Sequence, residues 1–204
     1  MPSVSRARSP KRTSAAKAKP VRHQERRERS HARILSKAAK MMRERGLDGA
    51  SVNEVMAAAG LTRGGFYAHF SDKSEMIAEA LGLAFDDART ALLGSLPEEG
   101  DAWAEHAAGR YLSQKHLDSP GTGCVITSLG PDVARSEPVV KRVFQRGVES
   151  MLDGIKEKLG GTREDAIVFL ATCIGAVTLG RAVHDRALSS QIREAVKQDL
   201  KKAR

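Results

Sequence analysis

Aromatic residues are scarce: one Trp, two Tyr and five Phe make up 4% of the 204 residues, so any core must be built mainly from aliphatic side chains and alanine. Only two cysteines occur, Cys124 and Cys173. They are too far apart in sequence for a zinc-type pair and too few for a disulfide framework, which predicts two reduced thiols. The six histidines are scattered and give no metal-ligand spacing, so neither metal nor cofactor is expected. No apolar run reaches the ~18 residues of a membrane span, and the N-terminus lacks the apolar segment of a secretory signal. A cytoplasmic protein with no membrane partner is the reading. Period-two alternation and Asn-Gly hairpin signals are missing as well, which leaves an all-α chain. Nucleophile elbows and phosphate-cradling glycine loops are also absent, and no catalytic residues are assigned.

Acidic residues are missing from one place in particular. Residues 1–22 hold seven Lys/Arg and no acid, residues 23–80 hold ten basic and eight acidic, and residues 81–204 hold seventeen of each. The net charge of +9 is therefore placed at the N-terminal end, as expected of a protein that meets nucleic acid there. Residues 1–22 are rich in Ser, Ala, Pro and Lys/Arg with almost nothing to bury. They are expected to be a disordered basic arm that tracks phosphates or enters the minor groove.

The stretch from Ser51 to Phe70, SVNEVMAAAGLTRGGFYAHF, organises the rest. Ser51 is placed to cap a helix whose apolar face is Val52, Val55, Met56 and Ala59. Gly60 ends that helix where a left-handed residue is wanted. Leu61 is an apolar plug and Thr62 is placed to cap a second, short helix over about Arg63 to His69. Two short helices at a tight glycine turn read as a helix-turn-helix, with the second helix entering the major groove. Gly64 and Gly65 each cost up to ~1 kcal/mol of helix propensity. They make sense where the backbone must approach a phosphate closely. Arg63 can reach a guanine edge with its fork. Ser51, Thr62, Tyr67 and Lys73 are candidates for phosphate, His69 is assigned either to phosphate or to packing, and Phe66 and Phe70 belong to the core.

The run Gly60-Leu61-Thr62-Arg63-Gly64-Gly65-Phe66-Tyr67-Ala68-His69-Phe70, followed by Asp72-Lys73, resembles the recognition-helix signature of the TetR/AcrR family of bacterial transcriptional regulators. Ile34-Leu35, Ala38, Met41-Met42, Gly46 and Ser51-Val52 fall where that family places its first helix and the start of its second. Met41-Met42 stands for the usual Leu-Phe. Gly65 stands for the usual Thr, Ser or Ala, which removes a hydroxyl that would bind phosphate.

Downstream, the pattern predicts a helix-turn-helix domain over 23–80 and a second helical domain over 81–204. The first helix runs from about His23 to Arg45, with Ile34, Leu35, Ala38, Met41 and Met42 inward. Ser71 or Asp72 caps a long helix reaching Gly94. Pro97 is placed to open the next helix, and Pro138 to Leu159, Arg163 to His184 and Ser189 to about Lys201 are predicted helices. The helix from Arg163 is apolar almost all round and should be buried on more than one side. Its small residues allow close helix approach. The resemblance implies that the last two helices form a four-helix bundle across a homodimer two-fold, with Ala171, Gly175, Ala176, Leu179, Ile192 and Val196 at the interface.

The resemblance also implies a ligand cavity in the second domain. Its candidate lining is Trp103, His106, Tyr111, Cys124, Phe144, Met151, Phe169 and Cys173, with His116 beside them, apolar walls with a few polar tips that suit a small lipophilic ligand. It further implies that the Gly123-Cys124 pair opens a helix. A thiol there would feel the helix's positive end and could sense electrophiles. The function expected is a sequence-specific repressor of a palindromic double-stranded DNA operator, released by a small-molecule effector. The rival is a chromatin-type protein that coats DNA through the basic arm.

Overall fold

The computed structural model describes residues 18–94 and 98–202, with side chains from Gln24 onward. The described residues are helical with turns between, and contain no strand. Helix α1 spans Ala18–Arg45. The expected basic arm lies outside the described residues as far as residue 17, but from Ala18 the chain is already helix, five residues before the predicted start. Pro20 fits there because the first turn has no intrahelical partner for an N–H.

Helix α2, Val52–Ala58, opens at Ser51, whose hydroxyl accepts from the Glu54 N–H. The turn passes through Gly60 at φ +68°, a left-handed position that favours glycine. The next element, Arg63–Ala68, is a 3₁₀ helix rather than an α-helix. A six-residue segment starting Arg-Gly-Gly cannot sustain a full α-helical ladder, and i to i+3 bonds suffice for so short a piece.

Helix α3, Lys73–Leu93, is capped by Asp72, whose carboxylate accepts from Glu75 N at 2.8 Å, while Glu75 accepts in turn from Ser71 N. Pro97 lies outside the described residues, and helix α4 starts later, at Gly100–Tyr111. A short helix α5, Gln114–Asp118, was not legible in the sequence; Ser113 caps it by accepting from His116 N. After a 3₁₀ turn at Pro120–Thr122, helix α6 spans Val125–Ala134 with Cys124 at its N-cap position.

Helix α7, Pro138–Leu159, starts with Pro138 in its first turn and stops at Gly160 in the left-handed region. Helix α8, Arg163–Ala182, opens with a reciprocal capping box between Thr162 and Asp165 and ends two residues before His184. Helix α9, Arg186–Lys202, begins three residues before Ser189. Contrary to the count of apolar runs, α8 does reach the length and hydropathy of a membrane span. Within the fold it packs Ala166, Phe169, Leu170, Cys173, Ala176, Val177 and Gly180 inward.

Two cores result. The first joins Ile34, Ala38 and Met42 of α1, Val55 and Met56 of α2, Phe66, Phe70 and the N-terminal half of α3 to Val125, Leu129 and Val133 of α6. The second gathers Trp103, Leu112, Met151, Ile155, Phe169, Cys173 and Val177. Ala88 of α3 packs against both. The boundary expected at residue 80 therefore falls inside a helix that serves both cores.

Candidate nucleic-acid interface and internal cavity

Phe66 and Phe70 are buried with ring centroids 5.4 Å apart, and they pin the 3₁₀ helix to the first core. What they leave outside is the opposite face. Arg63 and Gly64 are exposed and Tyr67 is 73% exposed, the largest value among the big apolar and aromatic side chains. A Cβ on Gly64 would meet nothing within 4 Å, and one on Gly65 only ordinary contacts with Met56 and Thr62. Neither glycine is needed for internal packing, and both have negative φ. Both leave the backbone of this face open to close approach from outside.

The other predicted DNA-contacting residues differ in how free they are. Thr62 is exposed and stands at the N-cap position, but its side chain makes no capping bond, contrary to the role read from the sequence. Its hydroxyl is therefore available to a phosphate. Ser51 is half-buried and already engaged: its hydroxyl donates to the Glu54 carboxylate at 2.6 Å. That bond, followed by the Arg45 charge, holds the Glu54 carboxyl below its usual range despite some desolvation. Lys73 lies 3.8 Å from Asp48. His69 is half-buried beside His31, at 5.7 Å between ring centroids, and its Nδ1 has no hydrogen-bond partner. Burial, then the charges of His31 and Arg27, lowers its pKa. A neutral ring is a packing group first and a phosphate donor through its N–H only.

The second domain contains a cavity of ≈ 950 Å³ between α3, α4, α7, α8, α9 and the segment from Ser113 to Cys124. Of the predicted lining residues, His106, Tyr111, Cys124 and Met151 line it, as does His116. Trp103, Phe169 and Cys173 do not; they are buried in the second core, with Trp103 and Phe169 rings 5.4 Å apart. Burial, followed by the influence of Cys124, pushes the Cys173 thiol up to about 12, which makes it an inert packing group. Phe144 packs edge-on against Phe85 near the first core. The resemblance placed all four among the lining because of the helices they stand on, but the side of the helix that each faces turns it away from the cavity. Ala88, Leu92, Leu170 and Leu200 supply walls that the sequence reading missed.

The polar edge of the cavity is built on His116. Its Nε2 accepts from the Cys124 N–H at 3.0 Å, and its Nδ1 lies 2.5 Å from the Tyr111 carbonyl. The first bond requires an unprotonated Nε2, so Nδ1 carries the proton and donates to Tyr111. Burial is the main cause that lowers this imidazole's pKa, and the nearby Arg181 charge also lowers it. Tyr111 is buried with its hydroxyl 2.9 Å from the Thr127 hydroxyl, and burial raises its pKa. Arg181 donates to the carbonyls of His116 at 2.7 Å and Leu117 at 3.2 Å, fixing the same loop from α8. Cys124 is buried and forms no side-chain capping bond.

On α8 and α9 the predicted interface residues divide. Ala171 and Leu179 are exposed and Gly175 is half-buried with open space over its Cα. Ala176 faces the opposite way, 3% exposed in its own chain's core. Ile192 and Val196 are half-buried against that core. Ile167 and Val168, not predicted, extend the exposed stripe to the start of α8.

Residues 34–80 match the family model described as bacterial regulatory proteins, tetR family. The HTH-type transcriptional repressor DhaR of Mycobacterium sp. (strain GP1) is 25% identical over 138 residues, spanning 65% of this chain and 69% of the relative. Among solved structures, that of reduced E. coli NemR superposes with a TM-score of 0.73 at 17% identity, covering 85% of this chain and 96% of the other. A TetR transcriptional regulator from Chloroflexus aurantiacus J-10-FL gives 0.72 at 18% identity, covering 87% and 95%.

Proposed function

The chain belongs to the tetR family of bacterial regulatory proteins, and on that premise we propose a homodimeric, non-catalytic cytoplasmic repressor that a small apolar effector releases from a near-palindromic operator. It binds DNA sequence-specifically. The observation that carries the reading is the 3₁₀ helix, anchored by Phe66 and Phe70 with Arg63, Gly64 and Tyr67 left outside. Arg63 reads a base edge, while Thr62, Tyr67, Lys73 and the glycine backbone set register on phosphates.

Two readers on a palindrome need a two-fold. The exposed apolar stripe Ile167, Val168, Ala171 and Leu179 on α8 supports a homodimer through that face, since so contiguous a patch is otherwise left wet. The readers then stand about one duplex turn apart, ~34 Å. The cavity volume is in the range of small-molecule sites, and its mix of Ala, Leu and Met walls with Tyr111, His106 and His116 suits a lipophilic molecule bearing one or two polar groups. Release requires that the effector bind the DNA-incompetent conformation better, since equal affinity for both shifts nothing.

The test is footprinting on DNA flanking the protein's own gene. A discrete palindrome is protected by the parent, and Arg63→Ala binds operator and scrambled duplex alike. Uniform protection of every duplex by the parent would overturn the reading in favour of a DNA-coating protein.

A further inference from the structure

Residues 1–33 hold eleven Lys/Arg and two acids, a net of +9, and the rest of the chain holds 23 of each. The whole net charge of the protein thus precedes Ile34. From Ala18 this segment is helix, the N-terminal half of α1.

The direction of α1 is fixed at its other end. Arg43 donates from Nε to the Gly121 carbonyl at 2.8 Å, and just past the helix the Leu47 N–H donates to Asp132 of α6 at 3.1 Å. The C-terminal end of α1 therefore abuts the cavity domain, and its N-terminal end points away from it. Counting back toward that end, His31 makes tertiary contacts, 2.7 Å from Glu79 and stacked on Phe70 at 4.7 Å. Before it, Gln24 to Arg29 are all exposed. Residues 18–30, about 20 Å of helix at 1.5 Å per residue, continue α1 N-terminally from the point where His31 packs beside His69 and Phe70, at the end of the 3₁₀ helix. Propagating a helix already nucleated by packing costs little, so this length needs no core of its own.

Its cations are not spent on neighbours. Arg26, Arg29 and Arg33 recur at helical spacing on one exposed face, and with Arg27 they have no ion-pair partner among the described residues. Some exposed cations elsewhere do pair, among them Arg45 with Glu54, Arg163 with Asp153 and Lys201 with Glu105. Arg27 also lies near enough to His69, at the end of the recognition element, for its charge to act on that ring.

The geometry points to a second nucleic-acid contact: the exposed N-terminal half of α1 lies along the phosphate backbone beside the groove that the 3₁₀ helix enters, with Arg26, Arg29 and, just past His31, Arg33 meeting phosphates. This rests on the DNA-binding function above and adds a surface to it. One strand offers a phosphate every ~3.4 Å, about six along 20 Å of helix. Contacts of this kind raise affinity for any sequence and carry no base information.

The experiment compares full-length parent with the triple variant Arg26→Gln, Arg29→Gln, Arg33→Gln on an operator duplex and a scrambled duplex over a range of salt. The three sites are exposed, and glutamine has nearly the helix propensity of arginine, so thermal unfolding is unchanged; the single Arg26→Gln serves as a milder second variant. Expected is a loss of up to about 2.7 from the magnitude of the log–log salt slope for the triple variant and about 0.9 for the single one. Affinity falls by the same factor on both duplexes. An unchanged slope overturns the contact, and a loss confined to the operator overturns its assignment to phosphates. A parent that fails to prefer the operator overturns the regulator reading instead, while the slope comparison still judges α1.

Discussion

Arg43, near the end of α1, places its buried guanidinium against Gly121 in the loop that walls the cavity, Nε to carbonyl oxygen at 2.8 Å. Asp87 of α3 lies 3.8 Å from the same guanidinium. Burial lowers the pKa of this arginine, with Asp87 opposing the shift, and the group stays charged. One side chain thereby ties the DNA-binding domain, the shared helix and the cavity loop together.

Replacing Arg43 with Ala removes a bond from a charged donor, worth about 1.5–3 kcal/mol, and leaves the Gly121 carbonyl without its partner. Urea unfolding is expected to show a loss of that order. Operator binding without effector weakens modestly, and the dose of effector needed for release changes. An Arg43→Ala protein with the parent's effector response would mean that the cavity reports to the DNA domain through α3 alone.

His116 gives the protein a pH dependence whose sign follows from its bonds. Its folded pKa is depressed by burial and by the nearby Arg181 charge, and protonation would also aim an Nε2–H at the Cys124 N–H. Above the usual imidazole value of about 6.5 both folded and unfolded states are neutral and the full stability is present. As pH falls below that value the unfolded state takes up the proton first, and stability drops until the folded ring also titrates. His69 is shifted the same way. In denaturation series from pH 7.5 to pH 5, His116→Gln should start about 1–3 kcal/mol less stable and lose less on acidification. An equal pH slope in parent and variant would leave His69 as the source.

The two sides of α8 predict opposite outcomes for the same substitution. Val168→Arg or Ala171→Arg, on the exposed side, should give a folded monomer by light scattering with no measurable operator affinity. Ala176→Arg, on the buried side, should fail to fold. A dimeric Val168→Arg protein would move the interface elsewhere.

Gly147 of α7 sits under Phe85 of α3, and a Cβ there would run into the ring. Alanine gains about 1 kcal/mol of helix propensity over glycine, whereas overpacking costs about 1–3 kcal/mol. Gly147→Ala should therefore lower Tm by a few degrees, and it should disturb effector release more than bare operator binding. A rise in Tm would show that α3 and α7 separate freely at this point.

The DNA-binding half was legible because its signals are local: Ser51, Gly60, Asp72 and the Phe66-Phe70 pair each act within a few residues. The cavity was legible only in part. Tyr111, Cys124, His106 and Met151 face the void, whereas Trp103, Phe144, Phe169 and Cys173 pack away from it, because on a helix apolar around most of its circumference the sequence does not say which side meets a void and which meets a core. Arg43, Asp132 and Arg181 bind partners 53 to 85 positions away, and no short-range pattern marks them. Helix α5 escaped notice since five residues carry no readable period.

Because Ala88 touches both cores and the first core borrows Val125, Leu129 and Val140 from beyond the cavity loop, no cut in the chain yields a self-contained reader. A fragment ending at residue 80 would lack Leu81, Ala84 and Phe85 of α3 and leave the first core open where they pack. A graft of this reader onto another effector domain must therefore carry α3 whole and a matching surface from α6. New pairings of operator and effector in such a scaffold arise by substitution along existing helices, not by exchange of parts.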